Sequence, residues 1–196
     1  MIDQAVYFIS GFLNNELRLA LGIDESRVMV SNLVDPDGSP ASKIKNKIVI
    51  TVINIEHETA RLSPEVQQSG QDNAFGRGIF PVHLNLHLLV SAHCNSENYM
   101  EALKMLSTVI GVFQSQAHFT PRNYPDLPES LNQLSCELYN LSLEQQSHVW
   151  SALGVKQVPF VVYKLRMISN GGGAKTRQIS GVTDQQTSVI EQSKKS

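Results

Sequence analysis

From Ile79 to His118 the hydrophobic and polar residues follow two successive periods, and the rest of the chain can be organised around them. Val82, Leu84, Leu86, Leu88 and Val90 alternate with His83, Asn85, His87 and Ser91, which predicts a strand with one apolar face. Leu89 alone interrupts the polar series. Beyond it the period changes. Tyr99, Ala102, Leu103, Leu106, Val109, Ile110 and Phe113 recur at three- and four-residue steps, the stripe of an amphipathic helix. The two apolar faces are expected to bury one another, with Leu86 and Leu106 on the surfaces that meet.

The same reading places the other elements. Ile2, Ala5, Val6, Ile9, Leu13, Leu17, Ala20 and Leu21 form a helical stripe, with Asp3 in the first turn and Gly22 as the cap. Arg27–Val34 is β-branched and reads as a strand, ended by the turn signal Asp35-Pro36-Asp37-Gly38. Lys47–His57 has β-branched residues on both faces, which predicts a strand covered on both sides and central in its sheet. Thr59–Gly78 is polar and aperiodic, a long loop of the kind that serves a function or orders against a partner.

Phe119–Pro128 is Pro-rich and reads as an extended connector, and Leu134, Cys136 and Leu138 alternate as a strand. Ser142 and Gln145 have capping-box spacing, opening a helix that runs to Leu153 and stops at Gly154. On this helix Trp150 reads as a core residue, with an inter-subunit anchor as the alternative. Gln157–Ser169 is a further strand. Asn170-Gly171-Gly172-Gly173 is a hinge, followed by a polar tail anchored only by Ile179, Val182, Val189 and Ile190. Consecutive strands without intervening helices predict an α+β fold, with a mixed, mainly antiparallel sheet flanked by helices. The expected organisation is one domain over 1–169, with 170–196 a hinge and an arm that orders only on assembly.

Composition narrows the function. A formal charge of −2 gives no electrostatic footprint for nucleic acid, and Lys43, Lys45 and Lys47 read as the solvated start of a strand. The two cysteines, Cys94 and Cys136, lack CxxC partners and read as small buried hydrophobes in a reducing compartment. The N-terminus lacks a basic region before its apolar stretch, and no window has the ~20 apolar residues of a membrane helix. These features predict a soluble protein of the cytoplasm.

Candidate chemistry is sparse. His83 and His87 share a strand face but lie ~13 Å apart, too far for one metal ion unless another element reaches between them. Glu56, His57 and Glu58 alternate faces and do not converge, and His93-Cys94 lacks visible support for a nucleophile pair. The run Gly171-Gly172-Gly173-Ala174-Lys175-Thr176 fails as a phosphate loop, because Ala174 and Ser169 stand where glycines are required. Asn140-Leu141-Ser142 has the glycosylation pattern, a chance match without a secretory signal. No catalytic, cofactor-binding or metal-ligating residue is assigned. A small metal-dependent hydrolase using some of His57, His83, His87 and His93 stays open as an alternative.

Several stretches together carry a resemblance. They are Pro81–Ala92, Tyr99–Leu103 with Leu106-Ser107 and Phe113-Gln114, Phe119-Thr120-Pro121, Glu137–Leu141, His148–Gly154, Pro159–Tyr163 and Arg166-Met167. Over roughly residues 1–170 the chain resembles the DUF4255 family. That family is the N-terminal domain of the cap, or tail terminator, of extracellular contractile injection systems, the phage-tail-like particles of prokaryotes. The resemblance implies a tail-terminator-like fold and a hexameric homo-oligomeric ring. Such a ring closes the distal end of inner tube and sheath, ends polymerisation, and needs no catalysis, cofactor, small-molecule substrate, nucleic acid or membrane. It implies synthesis in the cytoplasm followed by incorporation into a particle that can be released. It also implies that the chain lacks the extra C-terminal domain of longer members. Residues 59–78 and 170–196 are the expected contact segments, and a baseplate adaptor of the same particle is the remaining alternative.

Overall fold

The structure is a computed structural model that describes residues 1–22, 24–35, 37–39, 41–58 and 81–169. The expected loop over 59–78 and the hinge and arm over 170–196 lie outside the described residues. Among the described residues three helices, α1 (Ile2–Leu21), α2 (Tyr99–Ser115) and α3 (Leu143–Leu153), flank six strands. The strands are β1 (Val28–Val30), β2 (Lys47–His57), β3 (Val82–His93), β4 (His118–Phe119), β5 (Leu131–Leu138) and β6 (Phe160–Ser169). They form one sheet in the order β1-β2-β3-β6-β5-β4, with β1 parallel to β2 and every other pair antiparallel. This is the mixed, mainly antiparallel α+β fold that the strand order predicts.

The alternation along β3 sets the layers. Leu86, Leu88, Val90 and Ala92 face a large core closed by α1 and α2, where Ala5, Val6, Ile9, Leu13 and Leu17 meet Met105, Leu106 and Val109. Leu86 and Leu106 belong to this one core, as their periods require. Four aromatic rings, Phe8, Phe12, Phe119 and Tyr124, stack edge-on or tilted beneath α1, with centroids 4.9 to 6.0 Å apart. Helix α1 ends at Gly22 with φ 64°, a left-handed cap that favours glycine, and its N–H donates to the Arg18 carbonyl. The Asn14 carboxamide oxygen accepts from the backbone N–H of Arg27, which fastens the start of β1 to α1.

Leu89, the one apolar residue on the other face of β3, marks a second and smaller core. There Val49, Leu89 and Val162 are covered by Trp150 of α3 and by Leu33, Ala41 and Ile44 of the segment after β1. Trp150 is 5% exposed and stacks edge-on against Phe160 at 5.2 Å, so it occupies a core position. Helix α3 begins where the sequence places it. The Gln145 N–H donates to the Ser142 hydroxyl at 3.2 Å, and the Ser142 N–H donates to the Gln145 side chain at 2.9 Å.

Three expectations change. Strand β1 is short, because only Val28–Val30 pair with β2 before the chain turns away. Strand β2 sits one place in from the edge rather than at the centre, and burial on both faces is confined to Ile48–Thr51. Its far half bulges between Val52 and Asn54, then pairs only with β3 among the described residues. Strand β4 arises within the Pro-rich connector, where His118-Phe119 pairs with Ser135 and Leu134.

Candidate interaction surface

Helix α3 covers only part of the sheet's outer face. Beyond it, that face carries the polar residues of β3 together with Asn54 and Glu56 of β2, Lys164 and Arg166 of β6, and Ser135 and Glu137 of β5. Asn85 and His87 are buried here rather than solvated, at 5% and 6% exposure. Strand pairing explains this, since His87 lies between Asn54 and Lys164, and Asn85 lies between Glu56 and Arg166. The His87 ring also meets the Tyr139 ring at 4.7 Å.

Burial leaves several polar atoms unsatisfied. His87 Nδ1 has no hydrogen-bond partner and stands 3.9 Å from Glu56 Oε1, which itself accepts from Asn54 Nδ2 at 2.9 Å. Asn85 Oδ1 and Arg166 Nε are likewise without partners, although Arg166 Nη2 lies 3.3 Å from Glu137 Oε2. A buried group without a partner costs roughly 1–3 kcal/mol, and three stand on this one face: Arg166 Nε–H as a donor, Asn85 Oδ1 as an acceptor, and His87 Nδ1 as either.

Where α3 leans over the sheet a cleft of about 450 Å³ opens. Val52, Ile53 and Val162 form its floor with His87, while Val149, Ala152 and Leu153 of α3 form a wall. Leu143 at the start of α3 is 85% exposed. A second cleft of about 480 Å³ lies between α1 and the 124–128 turn, walled by Phe8, Phe12 and Tyr124. Apolar walls with a few convergent polar atoms are the general make-up of a ligand-binding cleft.

The histidines singled out from the sequence do not gather. His83 and His93 stand at opposite ends of β3, and His57 pairs with Leu84, one register row from His83. His93 lies within hydrogen-bond distance of the Ser91 hydroxyl at 3.0 Å, and burial pushes its pKa down, which favours the neutral ring. Among the described residues no group of three or more His, Cys, Asp or Glu could hold a metal ion. Cys136 is buried in the large core and Cys94 is half-buried beside it. Burial raises both thiol pKa values, and for Cys94 the Glu101 carboxylate adds to the effect. Burial also pushes the Tyr163 hydroxyl on the helix-covered face up to about 12. The cleft beneath α3 escaped the sequence because its walls come from three distant segments, and the one signal was the interruption at Leu89.

The described residues form an α+β domain in which α3 covers only part of the polar outer face of the sheet. The family described as the Pvc16 N-terminal domain matches residues 7–184, and the chain belongs to it. No curated protein matches. Among solved structures, the PVC sheath/tube terminator of an extracellular contractile injection system, in its extended state, is 12% identical. That match covers 94% of this chain and 64% of the other, with a TM-score of 0.45. The anti-feeding prophage cap, described as a tube terminating cap, is 14% identical, covering 92% and 60% respectively, with a TM-score of 0.48. The chain thus spans about three fifths of the length of these structures. No helix of the described residues is long and apolar enough to cross a membrane.

Proposed function

We propose that this chain is the terminator domain of a contractile injection particle. It assembles as a homo-oligomeric, hexameric ring that closes the distal end of inner tube and sheath and stops polymerisation. The observation that carries the reading is membership of the Pvc16 N-terminal family over residues 7–184. The role is structural and calls on no catalytic residue, metal or cofactor. The chain is made in the cytoplasm and ends as part of a particle that can be released. Residues 1–169 act as the folded domain, and 59–78 and 170–196 act as contact segments.

The fold suits this task physically. A terminator must grip the last ring of subunits and offer nothing that propagates growth. Among the described residues the outermost strands are short, of three residues in β1 and two in β4, so neither offers a long edge of its own. The half of β2 from Val52 to His57 has no neighbour on its outer side among the described residues, and it can accept a strand from a sheath subunit.

Electron microscopy of particles carrying an epitope-tagged copy, labelled with gold-conjugated antibody, tests the reading. Label is expected at the single end distal to the baseplate. Label at the baseplate end supports the adaptor role and overturns the terminator, and unlabelled particles overturn both.

A further inference from the structure

We propose that the cleft between α1 and the 124–128 turn receives Lys43 and Lys45 of a second copy of this chain, and that this is the head-to-tail contact of the ring. The inference rests on the homo-oligomeric ring proposed above and names the surfaces that join its subunits.

The cleft, of about 480 Å³, suits a long cationic side chain. Its walls are the rings of Phe8, Phe12 and Tyr124, and Tyr7, which also lines it, is 78% exposed. The aliphatic stem of a lysine packs along such rings, and its ammonium is attracted to their faces. Two carboxylates, Glu16 and Asp126, line the same cleft, and neither has an ion-pair partner among the described residues. Burial, and after it the Glu16 carboxylate, push the Tyr124 hydroxyl pKa up, so the charge on α1 is felt at the opposite wall. Gly11 lies between Phe8 and Asn15 on the same lining, and a Cβ there would meet no described atom within 4 Å. Packing within the chain therefore does not call for a glycine in mid-helix, where alanine is the better helix former. The close approach of another chain does.

A matching surface stands elsewhere on the same molecule. Lys43 and Lys45 are exposed on and just after the short helical turn Ser42–Ile44. Asn46, at φ 56°, then turns the chain into β2, which Lys47 begins. Ile44 is buried in the second core and so anchors the turn. None of the three lysines has an ion-pair partner among the described residues. Unpaired carboxylates in an aromatic cleft and unpaired ammonium groups on an anchored turn are complementary in charge.

The two surfaces lie too far apart to meet within one chain. The cleft is on the face of the sheet covered by α1, beside β4, whose Phe119 ring touches Phe8, Phe12 and Tyr124. The lysine turn is on the opposite face with the second core, ahead of β2. Four strand spacings separate β2 from β4, about 19 Å along the sheet at about 4.8 Å each. A surface and its complement on opposite sides of one subunit make a heterologous contact, which closes into a ring when the rotation between copies allows. An isologous dimer would instead set like charges against one another.

Charge exchange in the full chain tests the contact. The reading is the concentration at which half of the protein is assembled, from analytical ultracentrifugation in low salt. One variant carries Glu16→Lys with Asp126→Lys, and the other carries Lys43→Glu with Lys45→Glu. All four side chains lie outside both cores, so the fold is kept. Each variant alone sets like charges face to face, and its half-assembly concentration is expected to rise at least about tenfold. In an equimolar mixture every cleft can again meet a turn of opposite charge, and assembly is expected to return to within about threefold of wild type. Unaltered assembly of either variant overturns the contact and leaves the ring reading standing. Loss in both without recovery in the mixture overturns the pairing in the same way. A wild-type chain that stays monomeric at every concentration overturns the contact and the self-assembling ring together.

Discussion

Leu86 offers the sharpest test of how the two layers are joined. It is fully buried in the third strand of six, with Ile55 and Leu165 as its cross-strand partners. Truncation to alanine removes three buried carbons, about 2.4 kcal/mol at about 0.8 kcal/mol each. A cavity in a strand held on both sides collapses little and adds about 1–2 kcal/mol, for a total near 4 kcal/mol. Leu106 is 6% exposed on α2, where the helix can relax inward, so Leu106→Ala is expected to cost about 2.5–3.5 kcal/mol. Because both residues belong to one core, the double variant is expected to deviate from additivity by about 0.5–3 kcal/mol. Chemical denaturation at constant m-value measures all three, with Leu143→Ala, at an 85% exposed site, as a control expected within about 0.5 kcal/mol of wild type. Unchanged midpoints for Leu86→Ala or Leu106→Ala would refute the layer assignment, and strict additivity would refute their coupling through one core.

The other predictions concern the second core and the sheet end. Trp150→Ala is expected to cost about 3–5 kcal/mol in monomer stability, with any oligomer lost as a consequence; a stable monomer that no longer assembles would make Trp150 an interface residue instead. Ser142→Ala removes a capping box and is expected to cost about 1 kcal/mol, read by thermal melting; an unaltered melting temperature would mean that the cap contributes nothing. His93 is held neutral by burial, so its pKa lies below the unfolded value of 6.5. Above that value the ring is neutral in both states and adds no slope. As pH falls below about 6.5 the unfolded chain takes up the proton first and stability drops. His93→Gln is expected to flatten that part of the profile, and a slope that persists unchanged would assign it to another group.

Helices and their ends were the most legible features. The stripe over 2–21 with Gly22, and the Ser142–Gln145 box with Gly154, are local signals, written within one or two turns of the places they control. The bounds of β2 were legible too, since β-branched residues run continuously over Lys47–His57. Its position was not. Lateral place in a sheet depends on which strands pair, and Ser31–Val34 turn away, with the Ser31 carbonyl accepting from the Thr51 hydroxyl at 2.8 Å. Strand β4 was hidden for a related reason: two residues set no period, and only pairing with β5 makes them a strand. Alternation along β3 reports which side a residue takes, not what its cross-strand neighbours cover. Asn85 and His87 are shielded by flanking strands that no local window contains. The cleft beneath α3 likewise joins residues about a hundred positions apart, and no spacing rule spans that distance.

The central claim, that this domain terminates a tail, is tested most directly by the length of particles from a strain lacking the gene. Negative-stain images of purified particles give the length distribution before deletion, after deletion, and after complementation in trans. The account predicts tubes or sheaths of uncontrolled length after deletion, and a return to a single narrow distribution on complementation. Particles of normal, uniform length without the protein would contradict it, and a complete loss of particles would place the protein in initiation at the baseplate.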